Sequence, residues 1–137
     1  MRYLVDANVL SEATRQSPSV EVVDWLRRHE QDLMVDPIIL GELRYGFLLL
    51  PKSKRRATLE RWFLSTVKAI PCVPWTAQTS VRWSDLLAGL RKRGRAMPIK
   101  DSLIAASALE HDLTLVTRNV RDFSAVGVRI VDPFPVH

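Results

Sequence analysis

Short apolar runs that stop at a polar residue alternate, along this sequence, with longer segments whose apolar residues recur every three or four positions. Few architectures accept that alternation. Tyr3-Leu4-Val5, halted by Asp6, is too short for a helix and apolar throughout, the pattern of a buried strand in a parallel sheet. Leu33-Met34-Val35, Leu113-Thr114-Leu115-Val116-Thr117 and Val128-Arg129-Ile130-Val131 read as further strands. Ile70-Pro71-Cys72-Val73-Pro74 is extended, but its prolines confine it to a sheet edge or a connector. Strands separated by helices argue for an α/β fold with a central, mainly parallel sheet covered on both faces.

The helices are marked by their ends. Ala7 to Ala13 is a short one, and Ser17-Pro18-Ser19 breaks the chain and caps a second that runs to Arg28. Asp36-Pro37 sets a capping carboxylate before a proline at the first helical position, and the helix it opens runs to Leu50, where Pro51 stops it. Lys52 to Val67 carries Leu59, Trp62, Phe63 and Val67 at helical spacing. Thr76 to Arg93 and Ile99 to His111 complete the set.

With 137 residues the chain is expected to form one domain, residues 1–137, whose core needs neither disulfides nor a structural metal. The lone Cys72 cannot form an internal disulfide, and no Cys/His grouping has zinc spacing, which fits a cytoplasmic protein. Arg2, Asp6 and Glu12 interrupt the first apolar residues, against a signal peptide, and no run approaches the length of a membrane span. A net charge of +5 suits a polyanionic partner without specifying one. The clusters Lys52-Ser53-Lys54-Arg55-Arg56 and Arg91-Lys92-Arg93-Gly94-Arg95 flank helix ends. There they either extend into solvent, the second favoured by the helix dipole, or contact phosphates.

Four carboxylates stand where separate elements begin or pack: Asp6, Glu42, Asp101 and Asp122. A carboxylate at the end of an apolar strand or within an apolar helix face is destabilising unless a cation compensates it. One shared divalent metal explains several at once, and such an arrangement suits metal-assisted phosphodiester hydrolysis. In parallel sheets ligands bind at the carboxyl ends of the strands. Asp6 and the stretch from Thr117 to Asp122 lie at that end, Asp101 falls in the first turn of its helix, and Glu42 lies among Ile39, Leu43 and Gly46. Taken singly, each acid has a plainer role. Asp6 and Asp122 could be helix caps, Asp101 could serve its helix dipole, and Glu42 could face solvent. His29, His111 and His137 lack partners at ligand spacing and read as surface residues. Ser11, Ser102 and Ser107 lie near acids without forming a Ser-His-acid set. Trp25, Trp62, Trp75 and Trp83 are scattered and read as core or interface residues.

Val5-Asp6-Ala7-Asn8-Val9-Leu10-Ser11-Glu12, the Glu42 segment, Asp101-Ser102-Leu103-Ile104-Ala105-Ala106 and Leu115-Val116-Thr117-Arg118-Asn119, with Asp122-Phe123 beyond, resemble PIN-domain proteins. The nearest branch is similar to the VapC-type toxins of bacterial toxin–antitoxin modules, including the FitB-like proteins. The resemblance covers essentially the whole chain. It implies a three-layer α/β/α sandwich and a Mg2+- or Mn2+-dependent endoribonuclease that leaves a 5′-phosphate and a 3′-hydroxyl. It also implies a cognate antitoxin whose tail fills the active-site groove and whose other domain binds operator DNA. By position, Asp6, Glu42 and Asp101 fall on the family's principal acids. Asn119 stands where many relatives carry Asp, with Asp122 nearby, and Asn8 and Thr117 match polar positions that support the site.

Magnesium keeps several waters and is held directly by one or two carboxylates, so Asp6 and Asp101 are the expected ligands. Glu42 would orient water or join when a second ion binds. Basic residues near the rim would hold the RNA backbone without reading its sequence. Apolar helix faces and the resemblance together suggest a homodimer. Two other classes compete: a non-catalytic, antitoxin-binding subunit associated with DNA, and a phosphatase using Asp6 as nucleophile. The intact acid set argues against the first. Asn8, where a phosphatase typically needs a second Asp, argues against the other.

Overall fold

Tyr3–Val5 forms strand β1, Leu33–Met34 β2, Thr114–Val116 β3 and Ile130–Val131 β4 in the computed structural model, which describes residues 1–136. His137 lies outside the described residues. The strands make one all-parallel sheet of order β2-β1-β3-β4. Leu4 is registered against Met34 on one side and Leu115 on the other. Leu4, Val5, Leu115 and Val116 are fully buried, as expected of strands covered on both faces.

Seven α-helices complete the α/β/α architecture among the described residues: α1 (Ala7–Glu12), α2 (Val20–Arg28), α3 (Pro37–Leu48), α4 (Lys54–Trp62), α5 (Ala77–Lys92), α6 (Ile99–Glu110) and α7 (Val120–Phe123). Their starts are set by side chains that satisfy otherwise open backbone N–H groups. Ser19 accepts from Val22, Ser53 from Arg56, and Thr76 and Thr79 form a reciprocal capping box. Asp36 accepts from the Ile39 N–H at 2.8 Å, with Pro37 at the first position of α3. Pro98 precedes α6 and offers no side-chain cap, so Asp101 is the acidic residue in that first turn.

The path of the chain creates the cleft. From β1 it passes through α1 and α2 to β2 on one side, then returns through α3 to α6 to reach β3 on the other side of β1. The carboxyl ends of β1 and β3 are therefore neighbours whose following segments diverge, the usual position of a ligand crevice in a parallel sheet. The Asp6 N–H donates to the Val116 carbonyl at 2.9 Å and carries the ladder one residue past β1.

Two segments in particular differ from the sequence expectation. The helix expected over Lys52–Val67 starts at Lys54 and widens after Trp62, where the Lys68 N–H reaches the Phe63 carbonyl at 2.9 Å, five residues back. Both Phe63 and Val67 are buried across this wide turn, and the Phe63 ring lies edge-on to Phe47. The last strand covers Ile130–Val131, not Val128–Val131, because β3 presents only Leu115 and Val116 to pair with it. The proline-bounded segment adds a single parallel bridge, Cys72 to Val35, at the outer edge of β2.

Asp36 is fully buried, and its second oxygen, Oδ2, has no hydrogen-bond partner. Burial pushes its carboxyl above the ordinary range, against the stabilising bond from Ile39. A raised carboxyl pKa means the charged form is the disfavoured one in the fold, so the linked stability is lost as pH rises. Asp36→Asn, which keeps an acceptor, should leave stability unchanged or raise it at pH 7, whereas Asp36→Ala should lower it by about 1 kcal/mol. Urea unfolding of both variants tests this; equal losses would show that the cap hydrogen bond contributes nothing.

Candidate functional site

Asp6 is the residue at which β1 ends and α1 begins, and its two carboxylate oxygens are used separately. Its Oδ1 caps α1 by accepting from the Ala7 N–H at 2.8 Å. Its Oδ2 accepts from the Thr117 hydroxyl at 2.8 Å, across the β1–β3 junction. Asn8 reinforces that junction. Its Nδ2 lies 3.4 Å from both Asp6 Oδ2 and Thr117 Oγ1, and its Oδ1 accepts from the Arg118 N–H at 3.2 Å. The Asn119 N–H donates to Thr117 Oγ1 at 3.1 Å. Asn119 therefore acts here through its backbone; its side chain makes no capping bond at α7.

Asp101 is buried in the first turn of α6, and Glu42 projects from α3. Burial pushes the Asp101 carboxyl up, and the negative charges of Asp6 and Asp122 push it further. Asp6 is also raised, first by burial, with Thr117 opposing and Glu42 adding to the rise. The expected acids thus share one electrostatic field. Asp122 is on the exposed edge of α7 and enters through its effect on Asp101. Among the described residues no three acidic, His or Cys side chains are gathered into a ready-made ion cage.

Sequence reasoning passed over one residue of the cleft. Lys100, next to Asp101, donates to Glu42 Oε2 at 2.6 Å, while Glu42 Oε1 is buried without a partner. Its signal was legible: a lysine in the first turn of a helix opposes the dipole and needs a local reason. The serines near the acids have other work or none. Ser102 is tied to the Ile99 carbonyl and the Trp83 indole, and Ser107 Oγ is buried and unpaired.

The PIN domain family model matches residues 3–128. The chain belongs to the PIN-domain family. This PIN domain is 33% identical over 136 residues to the plasmid stability protein StbB of Pseudomonas syringae pv. tomato, covering 96% of this chain and 97% of that one. It is 29% identical to VapC ribonuclease Y4jK of Sinorhizobium fredii, with 96% of each chain covered. It is 28% identical to toxin FitB of Neisseria gonorrhoeae, covering 96% of this chain and 97% of FitB. Among solved structures, FitAB bound to an IR36 DNA fragment superposes with a TM-score of 0.90 at 26% identity, covering 98% and 97% of the two chains. FitAcB from Neisseria gonorrhoeae gives 0.89 at 28%, covering 96% and 97%.

The donors of this PIN domain fit a hard divalent cation: they are carboxylate oxygens, and one of them, Glu42 Oε1, is buried without a partner. What it costs to keep Asp101 charged, through burial first and the neighbouring acids after it, can be measured without any ion. Because the Asp101 pKa is raised, its linked stability is complete below the ordinary carboxylate pKa and is lost as pH rises through the raised value. Asp101→Asn stays neutral throughout. In EDTA its melting temperature should exceed that of the wild type by roughly 3 °C at pH 7, with the gap closing toward pH 4. A gap of opposite sign, or one independent of pH, would show that neither burial nor the neighbouring charges disfavour the charged form of Asp101.

Proposed function

We propose that this PIN domain is the endoribonuclease toxin of a toxin–antitoxin pair, acting in the cytoplasm with Mg2+ or Mn2+. The observation that carries the reading is the joining of Asp6, Glu42 and Asp101 in one field at the β1–β3 switch point, with an unpaired Glu42 oxygen. Asp6 and Asp101 would hold the cation, and Glu42 would orient water or take part with a second ion. The chemistry supplied by such a cation is acidification of water and neutralisation of charge at the phosphate. Thr117, Asn8 and the Ala7 N–H keep Asp6 in place, so the site loses little freedom when substrate arrives. Water attacks phosphorus in line with the departing 3′ oxygen, which takes a proton. The products are a 5′-phosphate and a 3′-hydroxyl.

Two surfaces support the partners. A groove of about 720 Å³ carries Arg82, Arg93 and Arg95. It adjoins one of about 340 Å³ that shares Arg95 and reaches Arg121 and Asp122, at the edge of the acid site. That trail of cations suits an RNA backbone. On the other side, a cavity of about 500 Å³ runs from Glu42 and Lys100 to Leu50, Leu59 and Trp62. An acidic end joined to an apolar trough suits a peptide bearing a cationic and an apolar residue. The similar FitAB, solved bound to a DNA fragment, supports an antitoxin partner, with operator DNA reached only through it. Exposed Tyr45, Leu49 and Leu64 support further protein contact, including a homodimer. No helix among the described residues is long and apolar enough to cross a membrane.

Asp101→Asn should abolish RNA cleavage and growth inhibition while circular dichroism shows an intact fold. Full cleavage by the purified, metal-supplied variant would overturn the mechanism. Asp122→Ala should raise the divalent concentration needed for half-maximal cleavage more than it lowers the rate at saturation, with stability nearly unchanged. Unfolding without altered metal dependence would make Asp122 a structural cap and leave three working acids.

A further inference from the structure

Lys100 is the second residue of α6, where the positive end of the helix dipole disfavours a cation. Its placement is offset by the cleft. The ammonium donates to Glu42 Oε2 at 2.6 Å, linking the first turn of α6 to the middle of α3. Glu42 keeps about a quarter of its side-chain surface exposed, 27%, while Lys100 keeps 52%, so the pair stands at the mouth of the site. After Glu42, the fields of Asp101 and Asp6 also stabilise the charged amine, so one cation serves the whole acid group. The lysine stem is flexible, and its ammonium is a point charge that moves readily between carboxylate and phosphate.

We infer that Lys100 is an exchangeable counter-ion of the acid site. In the ion-free protein it holds Glu42. When Glu42 turns to a divalent ion, the ammonium moves to the substrate's phosphodiester and neutralises charge there. The inference rests on the ribonuclease reading for its second half only. The first half makes Lys100 a competitor of the divalent ion for Glu42, so it lowers ion affinity before any RNA is present. The second makes it a catalytic residue in the loaded complex. A merely structural salt bridge between α3 and α6 would do neither.

Calorimetric titration of Mn2+ into the full chain, without RNA, tests the competition. Lys100→Met should bind Mn2+ more tightly by on the order of fivefold, the scale of a partly exposed ion pair. Most of the gain should be lost in a Glu42→Gln background, where only the smaller effect of the Lys100 charge on Asp101 and Asp6 remains. Unchanged or weaker binding by Lys100→Met overturns the exchange, and so does an equal gain in the Glu42→Gln background, which would reflect the general field. At saturating Mn2+, Lys100→Met should cleave RNA roughly tenfold to a hundredfold more slowly, with Lys100→Arg recovering much of the rate. An unchanged rate overturns the phosphate contact. Wild-type protein that binds Mn2+ yet cleaves no RNA would overturn the ribonuclease reading, and the calorimetric comparison would still decide the Lys100–Glu42 competition.

Discussion

The hydrogen bond from the Thr117 hydroxyl to Asp6 Oδ2 ties together the ends of β1 and β3, and the site is assembled around that junction. It joins residues 111 positions apart at the point where the following segments diverge, and it holds a carboxylate that is only 3% exposed. An isolated charge in such a place would be costly. Here the Ala7 N–H and the Thr117 hydroxyl both favour the charged form, while burial and Glu42 oppose it. Asp6 is thus kept in position and kept under electrostatic tension. That combination suits a ligand for a cation better than it suits a structural cap alone.

The tension extends outward in a graded way. Asp101 is pushed by Asp6 and by Asp122, and Asp6 by Glu42. Lys100 opposes Glu42, Asp101 and Asp6 from the rim. A site that is repulsive toward RNA when empty gains its attraction through whichever cation enters, whether a metal ion, the protein's own lysine or a basic side chain from a partner. On the proposed reading one field would serve both chemistry and inhibition, and a protein bound there would not need to imitate RNA.

Asp36 shows that buried acids in this chain do not all belong to one device. It is more deeply buried than Asp6 and also raised, with Asp6 among the causes, yet its geometry is that of a helix cap, with Oδ1 bound by Ile39 and Oδ2 unpaired. Glu12 is similar: its Oε2 accepts from the Ser19 N–H at 2.8 Å and fixes the link between α1 and α2. What separates Glu42 from these is the combination of an unpaired oxygen, which Asp36 also has, with an ion pair, which Glu12 also has. Burial alone would not have distinguished them.

The elements were legible because local chemistry decides them. Tyr3-Leu4-Val5 can only be a buried strand, Asp36-Pro37 can hardly be other than a helix start, and the prolines around Cys72 limit it to an edge. Asp6, Glu42 and Asp101 could be named from sequence because a carboxylate amid apolar residues needs a reason, and the family resemblance supplied the same three. The widened turn after Trp62, the shortened β4 and the partner of Lys100 were not legible. Each depends on a partner far along the chain: Phe47 against Phe63, Leu115 and Val116 beside β4, Glu42 opposite Lys100. Sequence spacing fixes which face a side chain takes on its own element. Only the packing of α3 against α6 decides that a lysine from one meets a glutamate from the other, because the two residues lie far apart in the chain and meet only where those helices touch.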